Sequence, residues 1–153
     1  MAGKKAVTDR RIRVFIGIVA LIGIILTAYL VREHYAPTGS SFCDVNARLN
    51  CDVVNKSDYA AILGVPVALL GLLFYLAVLV ISVAPAKLVR RLGGDEELRR
   101  MLLLGAAVLG LLFTLYLTGV EAFVLHVFCP LCLGSAALVL ILLGIAIKWN
   151  LRT

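Results

Sequence analysis

Apolar residues run almost unbroken from Ile12 to Val31, interrupted only by Arg13, and from Ala60 to Ala84 with no charge at all. Runs of this length that are apolar on every face predict helices crossing a bilayer, whose hydrocarbon core takes about 20 residues. The stretch from Met101 to Trp149 holds only Glu121 and His126 as acidic or basic side chains before Lys148. It is about twice the length of one crossing and predicts a hairpin of two helices, turning at Thr118-Gly119-Val120-Glu121 where a glycine meets the lone carboxylate. The expected architecture is therefore an all-α integral membrane protein, a single domain over residues 1–153 built as a four-helix bundle. Its helices are expected near 12–31, 60–84, 101–118 and 122–147, with a long outer loop at 32–59 and a cytoplasmic loop at 85–100. No small-x-small cleavage site follows the first run, so it reads as a retained span.

Composition narrows the function classes. With 62% hydrophobic residues in 153, the chain exceeds the usual soluble apolar share of about 45–50%. It has no room for a large soluble domain, and it is far too rich in Leu, Ile and Val for disorder. The net charge of +6 is not a nucleic-acid signal, because the cations are placed around the spans. Lys4, Lys5, Arg10, Arg11, Arg13, Lys87, Arg90, Arg91, Arg99, Arg100, Lys148 and Arg152 lie in the termini and the second loop, against only Arg32, Arg48 and Lys56 in the first. Positive residues are retained in the cytoplasm. Both termini are thus expected inside, with residues 32–59 and the turn near Glu121 outside.

That topology places all four cysteines on the outer side, which is oxidising in either a bacterial envelope or a secretory lumen. They form a C-x7-C pair, Cys43 and Cys51, in the long loop and a C-x-x-C pair, Cys129-Pro130-Leu131-Cys132, in the last apolar run. The plain alternative is two structural disulfides or isolated buried thiols. A bridge across two residues removes little loop entropy, however, while positions i and i+3 on a helix suit a pair cycling between dithiol and disulfide. A fourth helix beginning at Ala122 would carry Cys129 and Cys132 about 10 and 15 Å along its axis, within reach of a lipid-soluble redox carrier such as a quinone. A helix beginning instead at Pro130 would make Cys129 its cap, at the positive end of the helix dipole. The loop pair lies among Gly39, Ser40, Ser41, Asn46 and Asn50, a polar segment suited to a soluble partner. Two such pairs form a relay by mixed-disulfide exchange.

These residues resemble the vitamin K epoxide reductase family over most of the chain. The resemblance rests on Cys43 with Cys51, Ser57 six residues later, Gly64-Val65-Pro66 leading to Leu70-Gly71, Tyr116-Leu117, and Phe128-Cys129-Pro130-Leu131-Cys132. It implies a four-helix core around a quinone of the ubiquinone, menaquinone or vitamin K type as electron acceptor. Cys132 would be the thiol beside the quinone, Cys129 the one receiving electrons, Cys43 and Cys51 the shuttle, and Ser57 a supporting residue. Animal members carry an Asn and a Tyr toward the naphthoquinone head group where Val67 and Ala136 stand here. The expected reaction is therefore that of microbial members: quinone reduction coupled to oxidation of a thioredoxin-like protein, supporting disulfide formation outside a prokaryotic plasma membrane. The chain ends at Thr153, so that partner is expected to be a separate polypeptide.

Other residues admit bland and sharp readings. His126, three residues before Cys129, is either an interfacial side chain or an aid to thiol deprotonation. Glu121 reads as the solvated hairpin turn, with proton delivery as the sharper alternative. Ser57 is suited to capping a short helix at Asp58. Asn55-Lys56-Ser57 matches the glycosylation triplet but adjoins a span. Ala106, Gly110, Thr114 and Thr118 recur every four residues and read as helix packing, not a ligand box. Asp95, Glu96 and Glu97 read as a solvated helix end. Rival readings are a vitamin K epoxide or quinone reductase proper, an oxidase like disulfide bond protein B, whose pairs occur in the reverse order, or a metal-binding membrane protein.

Overall fold

The computed structural model describes residues 2–152; Lys4 and Lys5, counted above as topology markers, have side chains outside the described set. Helix α1 spans Ala2–Tyr35, α2 Cys51–Asn55, α3 Val67–Val83, α4 Ala86–Arg91, α5 Glu96–Val120 and α6 Pro130–Leu151. A 3₁₀ turn at Asp58–Ala60 and a two-stranded hairpin of β1 (Ala61–Ile62) and β2 (Val65–Pro66) precede α3, and a π-helical stretch, Glu121–Leu125, continues α5. The molecule is mostly helical. Three helices are long and apolar enough to cross a membrane, Ala6–Tyr35, Glu96–Leu125 and Pro130–Leu151, and the shorter Val67–Val83 is apolar throughout.

Four boundaries of the second, third and fourth helices differ from the sequence expectation for physical reasons. The second helix begins at Val67, not residue 60, because Leu63 and Gly64 both hold positive φ, 53° and 81°. That pair closes a two-residue hairpin of the type that matches strand twist, with Ala61 opposite Pro66 and Ile62 opposite Val65. The hairpin strands are apolar, so composition alone does not separate them from the helix that follows. The third helix, expected over 101–118, starts earlier because Asp95 caps it, accepting from Leu98 N at 2.8 Å. It also runs through the expected turn at Thr118–Glu121. Glycine inside an apolar helix is no stop signal in a membrane protein. The chain reverses later, at His126, which takes the left-handed conformation with φ 53°. The fourth helix consequently starts at Pro130 rather than 122, with proline in its first turn, where its missing N–H costs nothing.

The helices close a ring: α1 packs on α3, α3 on α5, α5 on α6, and α6 back on α1. Ile16, Ala20, Tyr75, Val78, Leu103, Ala107, Val139, Leu142 and Trp149 fill its centre. Small residues set the closest approaches. A Cβ at Gly23 would collide with the Tyr75 ring, so α1 and α3 meet there only because position 23 has no side chain. The outward faces stay apolar, with Ile25, Leu73, Val80, Leu109, Leu112 and Leu140 all exposed, as suits lipid rather than water.

At one end of the ring, polar side chains lock the helices together. Trp149 Nε1 donates to Asp9 at 2.9 Å, Arg100 pairs with the same carboxylate at 3.3 Å, and buried Arg99 donates to the Ala84 carbonyl at 2.7 Å. Glu96 pairs with Arg13 and Arg99. Asp95 as a cap and Glu96 as an ion-pair centre correct the expectation of a merely solvated helix end.

Candidate functional site

The opposite end carries the cysteines. Asn50 caps α2 by accepting from Val53 N at 2.8 Å, which fixes Cys51 at the first helical position. Asn55, at the end of the same helix, donates to the Leu30 carbonyl at 2.7 Å, while His34 Nδ1 donates to the Asn55 carbonyl at 2.7 Å. The glycosylation triplet is therefore closed, because Asn55 is buried and its side-chain nitrogen is bonded to α1. Asp52 organises the rest of the loop: it pairs with Lys56 and accepts from Gly39 N at 2.7 Å. Burial works to raise its carboxyl, but these two partners hold it below the usual carboxylate value.

Cys43 and Cys51 are joined as a disulfide, with Cα atoms 5.7 Å apart. Neither is open to solvent: the polar loop expected to suit a soluble partner folds over its own disulfide. Ser41 and Cys43 are 3.0 Å apart at Oγ and Sγ.

Two backbone hydrogen bonds carry this cover onto the fourth helix. Asn50 N donates to the Phe128 carbonyl at 3.0 Å and Phe128 N to the Arg48 carbonyl at 2.8 Å, pairing Leu49 with Phe128 in parallel. The next residue on each strand of that clamp sets the chemistry. Cys129 is the N-cap of α6, its sulfur accepting from Cys132 N at 3.2 Å, and its thiol lies 3.3 Å from Cys51 Sγ, across 78 residues of sequence. Cys129 is fully buried and Cys132 half-buried, both as thiols. Of the two helix registers considered from sequence, the cap arrangement is the one formed. The depth expected from a helix starting at Ala122 does not apply; burial under the loop isolates Cys129 instead.

Cys132 opens onto a cavity of about 390 Å³ between α3, α5 and α6, within the range of small-ligand pockets. Its walls are mainly apolar, including Leu30, Val67, Phe74, Phe113 and Leu125. Tyr75 donates to the Ser135 carbonyl at 3.0 Å on one side. Val67 lines this space; Ser135, not Ala136, does so from α6. Gly110, Thr114 and Thr118 line it too. The four-residue stripe is thus largely cavity wall, which corrects the packing-only reading.

Ser57 also lines the cavity, but its Oγ donates back to the Val54 carbonyl at 2.8 Å and makes no capping bond to the turn at Asp58. His126 is exposed at the chain reversal. The residue that sequence reasoning undervalued is Glu121. It is buried rather than solvated, lines the cavity, and accepts from Cys129 N at 3.2 Å. The signal was available: a lone carboxylate in a long apolar stretch is costly in lipid and marks function by default. Among the described residues no group of three or more His, Cys, Asp or Glu side chains is arranged to hold a metal ion. Compared with known families, residues 14–147 match the model described as the Vitamin K epoxide reductase family.

Proposed function

This chain belongs to the vitamin K epoxide reductase family, whose members are membrane oxidoreductases of thiols and quinones, and from that premise we propose that it is a quinone-dependent thiol oxidase supporting disulfide formation outside the cell. The observation that carries the reading is Cys129 Sγ lying 3.3 Å from Cys51 Sγ while Cys132 borders the apolar cavity. Four helices span a prokaryotic plasma membrane as one domain, both termini are cytoplasmic, and the cysteine end faces outward. The unequal distribution of Lys and Arg supports this orientation.

In the proposed cycle an extracytoplasmic thioredoxin-like dithiol reduces the Cys43–Cys51 disulfide and leaves oxidised. The Cys51 thiolate then attacks Cys129 of an oxidised Cys129–Cys132 pair, forming a Cys51–Cys129 bond and releasing Cys132 as thiolate. Cys43 attacks Cys51, restoring the loop disulfide and freeing Cys129. The arrangement described above, loop pair joined and cap pair as thiols, corresponds to the state that follows. A quinone bound in the cavity supplies a two-electron acceptor. Cys129 and Cys132 give up two electrons and two protons to it and close as a disulfide. The cavity's volume and apolar walls fit a quinone head group, and Cys132 is the thiol that borders it.

The positions where animal members carry an Asn and a Tyr are Val67 and Ala136 here, which favours a microbial respiratory quinone over vitamin K epoxide as substrate. Quinone reduction by the purified protein, driven by a reduced thioredoxin-like donor, tests the proposal. Turnover is expected in the wild type and background rate in Cys132→Ser; unchanged turnover in that variant would overturn the relay.

A further inference from the structure

Among the described residues lining the cavity, Glu121 is the single charged side chain. It is 2% exposed and accepts a hydrogen bond from Cys129 N at 3.2 Å. The carboxyl and the Cys132 thiol border the same cavity, near enough to affect each other electrostatically. The other titratable groups around this space are Tyr59, Tyr75, whose hydroxyl is engaged with Ser135, and Cys132. No Lys, Arg or His among the described residues faces Glu121 across the cavity, and His126 is exposed at the reversal.

A carboxylate without a cation in such a place carries a heavy desolvation penalty. A glutamine would make the same bond to Cys129 N without that cost, so hydrogen bonding alone does not account for an acid here. The local backbone is specialised as well. Glu121 opens the π-helical stretch at the end of α5, a distortion often found at functional sites, and from there it reaches both cysteines of the cap pair.

We propose that Glu121 is the proton-transfer residue of the quinone-facing half-reaction, a reading that rests on the cysteine relay proposed above. Its carboxylate takes the proton from the Cys132 thiol as the Cys129–Cys132 disulfide forms, then passes it to a quinone oxygen. Two thiols lose two electrons and two protons, and the quinone gains both. One proton travels through Glu121, which returns to its starting state, and the other comes from Cys129.

E121Q and E121D separate proton transfer from positioning, since E121Q keeps the acceptor for Cys129 N. The purified protein is assayed with a short-chain ubiquinone analogue as acceptor across a pH series. The Cys51–Cys129 exchange is timed separately in a Cys43→Ala background. Expected for E121Q is quinone reduction slower by about 10²-fold, rising with pH as solvent base replaces the carboxylate, with thiol exchange unchanged and partial recovery in E121D. A wild-type rate and pH profile in E121Q, or equal slowing of exchange and quinone reduction, would overturn the assignment. Failure of the relay itself registers elsewhere, as wild-type turnover in Cys132→Ser, and would overturn both readings.

Discussion

The two cysteine pairs sit within one sulfur–sulfur contact of each other, yet they are built by different physics. Cys43 and Cys51 are held by a polar web: the Asn50 cap, the Asn55 bonds to α1, the Asp52–Lys56 pair and the Ser41 contact. Cys129 and Cys132 are held by the first turn of a long apolar helix, with proline setting its start. A hydrogen-bonded cover can open by exchanging its bonds for bonds to water, at modest net cost. A helix packed in a bundle has no such exchange available in lipid. The difference makes the loop pair the easier of the two to open, as the proposed relay between an outside protein and a membrane carrier would require.

The largest expected effect breaks the handover between the two pairs. With Cys43→Ala, Cys51 is a free thiol that attacks the quinone-oxidised Cys129–Cys132 bond and releases Cys132; no Cys43 is present to resolve the product, so the Cys51–Cys129 cross-link accumulates and turnover falls to background. Peptide mapping under non-reducing conditions checks it. A cross-link from Cys51 to Cys132 instead would show that the 3.3 Å contact is not the exchange route.

Next in size is the anchoring of the cover. Asn55→Ala removes the buried side-chain bond to the Leu30 carbonyl, at a cost of about 0.5–1.5 kcal/mol. Thermal unfolding in detergent is expected to shift down accordingly, and protease cleavage between residues 36 and 50 to speed up. Unchanged protease sensitivity would mean that the loop is held by its disulfide rather than by its polar web.

A smaller effect sharpens the cavity side. A Cβ at Gly110 would come 2.8 Å from Phe74 Cζ, and Phe74 lines the cavity. Gly110→Ala should push that ring inward and raise KM for quinone by roughly 10-fold, the scale of about 1–2 kcal/mol for overpacking, while thiol exchange with the partner keeps its rate. Equal changes in both half-reactions would point to a general loosening of the bundle.

The same contrast explains what could be read from the chain alone. Cys43, Cys51, Cys129 and Cys132 stood out because spacing and topology grouped them, and the long helices because apolar runs of that length have few alternatives. The start of α3 and the end of α5 were not legible. Ile62 and Val65 look the same in a strand as in a helix, and Gly119 looks like a turn although lipid-embedded helices tolerate it. Moving the reversal from residue 121 to His126 turned Glu121 from an outer turn into cavity wall. Its importance depended on five residues of helix that periodicity could not supply.

The smallest effect probes the polar web by pH. Because Lys56 and Gly39 N hold the Asp52 carboxyl below its usual value, ionised Asp52 stabilises the folded loop. A depressed folded value means the contribution is fully present above about 3.9, the unfolded value, and is lost as pH falls through the folded one. The pair is partly open to solvent through Lys56, so its worth is on the order of 1 kcal/mol or less. Hydrogen exchange of the Gly39 amide should therefore be flat at neutral pH, once corrected for the intrinsic rate, and gain protection loss only in acid. Asp52→Asn should remove that acid step while leaving the cap pair untouched, since nothing in the helix-built half of the site depends on this carboxylate. An acid step that persists in Asp52→Asn would show that this carboxylate is not the titrating group.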